Sequence, residues 1–270
     1  MCRLLGYVTR TDSAIRKVLS GSDFDQFTQL SRLHRDGWGM AWRSGDAVRA
    51  ASAPTAALDD PDFARLADAP LADLGLVHLR WATNGLAVQP ANTHPFVADG
   101  IAMAHNGSIT PIDELDALLS PASRAALAGT TDSERYFRFI LEKVAAAGDT
   151  VAGVREAVEV LADRFPRSSL NAMLIEPDRL IAVHASSTAT PPVDDVLAQF
   201  PDPGHAPADH YDRYFRLRYR VSEDGVVIAS TGLTGTNWRP VPDNSLLVVE
   251  RADATVREVA LRARTAAAIA

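Results

Sequence analysis

One cysteine, at position 2, is the sole thiol in a sequence of 270 residues. Removal of Met1 would leave that residue carrying both a thiol and a free α-amine. A thiol near neutral pH is mostly protonated and needs a base before it can attack a carbonyl. An α-amine titrates at about 7.7–8.0, so a useful fraction is neutral. One residue could then supply attacker and proton acceptor, with no separate cysteine–histidine pair. The chemistry this points to is acyl transfer through a thioester.

Acyl transfer builds negative charge on the carbonyl oxygen, and donors must already be in place for it. The block "AHNGSI" at 104–109 offers two. They are the side-chain NH2 of Asn106 and the backbone N–H of Gly107, where the missing Cβ permits close approach. The plainer reading is an Asn-Gly turn ending a strand. His105 reads as a packed residue ahead of that turn. The block "HLRWATNG" at 78–85 offers Arg80, whose planar fork suits a carboxylate, with the Thr83 hydroxyl and the Asn84 amide close by. A strand-end arginine in a surface ion pair would look the same. In "TTDSERYF" at 130–137, Thr131 suits an N-cap and Glu134 the third helical position, a capping box. Asp132 then sits in the first turn, where the helix dipole favours an acid. In "RDGWGMAW" at 35–42, Gly37 and Gly39 flank Trp38, either as a bend bringing an aromatic to a pocket or as plain core. In "NTHPF" at 92–96, His94 either orients a pocket or caps a loop. His78, His94 and His105 lack the i, i+4 spacing of a common zinc motif and have no acidic residues patterned with them. Neither a metal nor a cofactor is expected.

All these blocks in this order, behind a Met-Cys start, resemble the class II glutamine amidotransferases, which are N-terminal-nucleophile hydrolases. The nearest match is their short, stand-alone branch, which includes the γ-glutamyl hydrolase of ergothioneine biosynthesis. The resemblance covers roughly the first 140 residues and, more loosely, the strands from "LRYRV" to "SLLVV". It implies Cys2 as nucleophile, Asn106 and Gly107 as oxyanion hole, Arg80 and Thr83 on the α-carboxylate of glutamine, and Asp132 on its α-ammonium. Asn84 departs from the family's commonest pattern, in which a histidine follows the threonine. The substrate implied is a small molecule, glutamine or a γ-glutamyl compound, cleaved to glutamate and ammonia or an amine. After about residue 250 only a strand and a tail are expected, so ammonia would pass to a separate synthetase. Otherwise the enzyme simply cuts a γ-glutamyl bond, as in an ergothioneine-like sulfur compound. A non-catalytic glutamine-binding module would carry the same pocket residues without needing the free thiol and amine.

The elements that must position these residues are legible as patterns. "RLLGYV", "GWGMAW", "LGLVHLRW" and "GIAMAHNG" read as strands, with short helices at "DFDQFTQLSRL", "PDFARLADA" and "PIDELDALL". Two longer helices start at Asp132 and Thr150, with apolar residues at i, i+3, i+4 spacing. A hairpin joins "SLNAMLIE" to "RLIAVHAS" through "PD", and four more strands close the chain after a Pro- and Asp-rich surface excursion over 186–210. Strands at both ends and helices in the middle predict α+β, with two antiparallel sheets stacked face to face under outer helices. Under the resemblance this is the N-terminal-nucleophile αββα sandwich. No composition break divides it, so one domain over 2–260 with a 261–270 tail is expected. The apolar fraction of 47% and charged fraction of 23% suit a core that needs no disulfide. A net charge of −7 with mixed signs argues against nucleic acid as partner. No apolar run approaches a membrane span and no signal peptide is apparent, so a cytoplasmic location is expected.

Overall fold

A computed structural model describes residues 2–19, 21–82, 85–186, 188–199, 209–210 and 213–262. Two of the candidate site residues, Thr83 and Asn84, lie outside the described residues, as does much of the 186–210 excursion. The strands are β1 (Arg3–Ser13), β2 (Trp38–Ser44), β3 (Ala47–Ala53), β4 (Ala72–Leu79), β5 (Phe96–Ala98), β6 (Ile101–Asn106), β7 (Asn171–Glu176), β8 (Arg179–His184), β9 (Leu217–Ser222), β10 (Gly225–Ser230), β11 (Arg239–Pro240), β12 (Ser245–Glu250) and β13 (Val256–Ala260). The helices are α1 (Ile15–Leu19), α2 (Ser22–Gln29), α3 (Pro61–Asp68), α4 (Ile112–Leu118), α5 (Pro121–Ala125), α6 (Asp132–Ala147), α7 (Thr150–Arg164) and α8 (Val193–Gln199).

Adjacent residues on a strand point to opposite faces, and here each face has its own core. Leu4 and Val8 of β1 enter one cluster while Leu5 and Tyr7 enter another. On β12, Leu247 and Val249 join the first cluster, and Leu246 and Val248 enter a third. The shared cluster lies between two sheets. One has the order β11-β9-β10-β1-β4-β2-β3, the other β13-β12-β8-β7-β6-β5. Phe24 and Phe27 of α2 and Phe63 of α3 cover the outer face of the first sheet. Phe137 and Ile140 of α6 and Val154 and Leu161 of α7 cover the second. The expected four layers, αββα, are therefore present. Each fully buried Leu, Val or Phe contributes about 1.5–3 kcal/mol. An exposed pair such as Arg65–Asp62 contributes under about 1 kcal/mol. Apolar layering, not surface charge, holds the sheets together.

The expected β7–β8 hairpin is present, with Glu176 opposite Arg179 across the Pro-Asp turn. Three strands and three helices are additional to the sequence reading: β3, β5, β11, α1, α5 and α8. β3 is rich in Ala and Ser and half exposed, so it lacks the apolar alternation of a strand. Pairing with β2 makes it, through a two-residue turn at Gly45 and Asp46 between Ser44 and Ala47. Pro111, expected inside the first turn of α4, is instead its N-cap. The capping box also differs. Thr131 Oγ1 accepts from the Glu134 N–H at 3.1 Å as expected. The Glu134 carboxylate, however, accepts from Ala128 and Gly129 N–H, both at 2.8 Å, and ties the preceding loop to α6.

One glycine is required by crowding. A Cβ on Gly39 would lie 2.0 Å from the His94 carbonyl oxygen and 2.7 Å from Pro95 Cδ. Backbone on one side cannot yield as a side-chain tip would. Gly39→Ala should destabilise the fold by about 2–3 kcal/mol. Thermal unfolding would read this as a clear fall in Tm; an unchanged Tm would show that the 94–95 segment yields.

Candidate active site

β1 lies inside its sheet, between β10 and β4, and β6 lies inside the other, between β5 and β7. Cys2 precedes β1 and shares the parity of Leu4, which faces the inter-sheet core. Asn106 ends β6 and shares the parity of Ala102 and Ala104, which face the same core from the opposite side. The two sheet ends therefore present Cys2 and Asn106 to each other. The Cys2 N–H donates to Asn106 Oδ1 at 2.9 Å. That contact fixes the amide orientation, as such assignments follow the hydrogen-bond network. It leaves Asn106 Nδ2 buried with no partner. An unsatisfied buried donor costs about 1–3 kcal/mol, and no acceptor among the described residues meets this one. The Cys2 thiol lies within 3.8 Å of the Trp81 carbonyl oxygen, to which it can donate.

Cys2, Arg80, His94, His105, Gly107, Thr131 and Asp132 share one recess. Gly107 has no space for a side chain, since a Cβ there would lie 1.9 Å from the Ser169 carbonyl oxygen. Arg80 follows β4, and Arg3 pairs with Leu79 in the sheet, so the register brings Arg80 beside Cys2. Its backbone is locked to the turn before β2: its N–H donates to the Gly37 carbonyl at 2.7 Å, and its carbonyl accepts from Asp36 N–H at 3.0 Å. Among the described residues the guanidinium donates to two carbonyl oxygens, of Asp36 and Ala87, each at 3.3 Å. It makes no ion pair among the described residues, so the surface-pair reading of Arg80 does not fit. Arg80 is 2% exposed, and a planar guanidinium fork has the geometry that suits a carboxylate.

Asp132 is the first residue of α6, where the unpaired N–H groups favour negative charge. Its Oδ2 accepts from Ile109 N–H at 2.6 Å, which orients the carboxylate, and Asp132 lines the recess. His105 is held at both nitrogens, 2.9 Å from Ser133 Oγ and 2.9 Å from the Ser169 carbonyl. A carbonyl can only accept, so Nε2 carries the proton and Nδ1 accepts from Ser133. Burial lowers the pKa of His105, against the opposing pull of Asp132. It is a neutral scaffold residue on the wall of the site.

The remaining candidates separate. Trp38 does not line the recess. It packs edge-on against Phe63 with ring centroids 5.5 Å apart, and its Nε1–H donates to Asp60 Oδ2 at 2.8 Å. Of its two readings, the plain core one describes its position. His94 does line the recess, and its ring lies tilted against that of His78, with centroids 4.3 Å apart and planes at 41°. Neither His94 ring nitrogen has a hydrogen-bond partner among the described residues. Burial, with Arg80 adding to it, pushes the pKa of His78 down to about 3. Burial likewise holds His94 well below the usual histidine range, so the pair is neutral. Among the described residues no group of three His, Cys, Asp or Glu is placed to hold a metal ion. Sequence reasoning passed over Ser133, Trp81 and Arg3. For Arg3 a signal existed: a charged residue opens a strand in which six following residues are buried.

The four-layer αββα arrangement is that of the N-terminal-nucleophile hydrolases. The family described as Glutamine amidotransferases class-II matches residues 1–268. The chain belongs to that family, whose common chemistry is hydrolysis or transfer of the glutamine amide. YafJ of Escherichia coli K12, which carries a glutamine amidotransferase name, is 27% identical over 69% of this chain and 74% of its own length. A glutamine–fructose-6-phosphate aminotransferase of Corynebacterium efficiens is 31% identical over 69% of this chain but only 30% of its own length. Among solved structures, a glutamine aminotransferase class-II domain protein of Silicibacter pomeroyi superposes with a TM-score of 0.63 at 19% identity. That likeness covers 97% of this chain and all of the other. An allosteric regulatory enzyme of purine biosynthesis superposes with a TM-score of 0.65 at 13% identity, over 96% of this chain and 49% of that one. The chain thus spans under half the length of the two biosynthetic enzymes. No helix among the described residues is long and apolar enough to cross a membrane.

Proposed function

We propose that this chain hydrolyses the γ-amide of glutamine, or of a γ-glutamyl compound, through a thioester on Cys2. The reading rests on one observation above others. The Cys2 nitrogen lies 2.9 Å from Asn106 Oδ1, while the same amide's Nδ2 is buried without an acceptor. Once Met1 is removed, that nitrogen is the α-amine, and Asn106 Oδ1 orients it beside its own thiol. The neutral amine takes the thiol proton, directly or through one water. Sulfur bonds to the amide carbon, and charge moves to the carbonyl oxygen. Asn106 Nδ2 and the Gly107 N–H stabilise that oxygen. The amine returns its proton to the leaving nitrogen, the C–N bond breaks, and ammonia or an amine departs. Water then attacks the γ-glutamyl thioester, releasing glutamate and restoring the thiol.

Arg80 would hold the substrate α-carboxylate, with Thr83 and Asn84 of the same sequence block adding bonds. Asp132 would hold the α-ammonium. Arg80→Met should raise KM for glutamine about 100-fold with a smaller change in kcat, because the carboxylate contact is made before and during reaction alike. A KM within twofold of the parent would remove Arg80 from the substrate site.

A diazo-ketone analogue of glutamine, followed by mass spectrometry, tests the main reading. A single adduct on a peptide beginning at Cys2 supports it. Intact glutamine binding without labelling would overturn it in favour of a glutamine-binding module, and an active protein that retains Met1 would overturn the role of the Cys2 α-amine as base. One feature favours γ-glutamyl amides with a larger leaving group. A cleft of about 790 Å³ is lined by Ser108, the residue after Gly107, with Arg167, Ser169 and Phe215, although it shares no lining residue with the Cys2 recess. Ammonia needs no such space. Turnover of γ-glutamyl amides and sulfur-linked γ-glutamyl compounds, set against glutamine, decides the preference. If glutamine wins, the ammonia would go to a separate synthetase.

A further inference from the structure

Arg3 is the residue of this site with the least ordinary surroundings. Its side chain is fully buried. Nε donates to the Cys2 carbonyl oxygen at 2.6 Å. Nη1 donates to Thr231 Oγ1 at 2.7 Å and to the Tyr214 carbonyl at 3.3 Å. The guanidinium carbon stands 3.8 Å from the centroid of the Tyr214 ring. Nη2 is buried with no acceptor, and Arg3 makes no ion pair among the described residues. Carbonyl oxygens and an aromatic face return part of the cost of burying a cation, but an unpaired buried charge still costs several kcal/mol. A fold does not ordinarily keep such a charge on the backbone carbonyl of its sole cysteine unless a negative charge appears nearby during function.

The backbone contacts explain where that charge acts. Each of the three functional groups of Cys2 has its own tether: nitrogen to Asn106, carbonyl oxygen to Arg3, and sulfur to the Trp81 carbonyl. Removing the Arg3 tether frees rotation about the bonds that set the amine and the thiol relative to the substrate. We propose that Arg3 is the positioning residue of the nucleophile: it clamps the Cys2 carbonyl, and its buried, uncompensated charge favours the thiolate and the anionic intermediate. This rests on the reading of Cys2 as nucleophile. Burial pulls the Arg3 pKa down, while Tyr214 and then Cys2 push it back up, the sign expected if a charge on Cys2 and the guanidinium stabilise each other. The other groups that face Cys2 across the recess are Arg80, His94, His105 and Asp132. His94 and His105 are kept neutral by burial, Asp132 opposes a thiolate, and Arg80 is taken up by substrate in the reading above.

The experiment uses the full chain, with Arg3→Met and Arg3→Lys checked for folding by thermal melting. Alkylation of Cys2 by iodoacetamide is followed from pH 6 to 9, and kcat and KM are measured with the preferred amide substrate. For Arg3→Met, alkylation at pH 7 should slow about 10-fold and recover at pH 9, with kcat down about 100-fold and KM within about threefold. Arg3→Lys keeps the charge without the fork, so its alkylation profile should stay near the parent's while kcat still falls. Thr231→Val, which removes one acceptor and spares the charge, should lower kcat severalfold; it serves if the Arg3 variants do not fold. Folded variants with the parent's alkylation profile and kcat would overturn the role of Arg3 and leave Cys2 as nucleophile untouched. Turnover that survives Cys2→Ala would instead remove the nucleophile reading itself.

Discussion

Cys2→Ala should reduce turnover to background, a loss of about 10⁴-fold or more, and should abolish covalent labelling by the glutamine analogue. The size of the effect follows from the site's economy. No second thiol exists in the chain to substitute for this one. Among the described residues of the recess, His105 is tied at both ring nitrogens, the Ser133 hydroxyl is engaged with it, and the Thr131 hydroxyl oxygen caps α6, so none of these three stands in for the thiol. The substitution should leave the fold intact. Cys2 stands before β1, and the apolar anchors of that strand begin at Leu4. Ammonia or amine release by purified Cys2→Ala, measured beside its thermal melt, checks both halves. Substantial turnover in a folded variant would mean that the acyl group is never carried on sulfur. Cys2→Ser is a useful companion. It keeps the geometry but offers a hydroxyl that gives up its proton far less readily, so it should retain at most a small residue of activity.

Asn106→Asp carries the second large effect and separates the two jobs of one side chain. An aspartate keeps an oxygen within reach of the Cys2 nitrogen, which the native amide contacts at 2.9 Å. It replaces Nδ2, the buried donor without a partner, with an acceptor. Removing one donor from an oxyanion site typically costs about 10²–10³ in kcat. Here a carboxylate oxygen would face the developing charge as well, so the loss should reach the upper end of that range. KM should change little, because the ground-state carbonyl gains far less from the donor than the tetrahedral intermediate does. Steady-state kinetics decides the point. A raised KM with unchanged kcat would place Asn106 in substrate binding rather than in stabilising the intermediate. Asn106→Ala tests the other job, since it also releases the Cys2 nitrogen, and should be at least as damaging.

Legibility in the sequence followed the range of the interactions. Cys2, Arg80, Gly107 and Asp132 stand out in short sequence blocks whose roles the family resemblance implies, His94 stands in another that suits either a pocket or a loop, and the fold brings all five to one recess. Asn106 joins them through Cys2. The signals were local because each block ends or begins an element: β4 stops at Leu79, β6 stops at Asn106, and α6 starts at Asp132. Chain ends of regular structure are where unpaired backbone groups and unusual side chains collect. Trp38 was ambiguous for the opposite reason. It sits on β2, and which face it uses depends on Asp60 and Phe63, more than twenty residues on. The Glu134 contacts were misread because the same side chain can reach back to its N-cap or to the loop before it, and the loop path decides.

By itself the chain's pattern of residues determined the family, the layer count and most of the polar groups around Cys2, because strand alternation, helix caps and short polar motifs are written over a few neighbouring positions. The tertiary structure alone decided the environment of those groups. Arg3 meets Tyr214 and Thr231, more than two hundred residues away in the chain, and no local pattern encodes such a meeting. The tilted contact of His78 with His94 and, among the described residues, the Asn106 Nδ2 without an acceptor and the Arg80 fork without a carboxylate are of the same kind. Each depends on what else is buried beside it. Burial is a property of the assembled layers, and it is burial that turns these ordinary side chains into groups with unmet hydrogen bonds and charges.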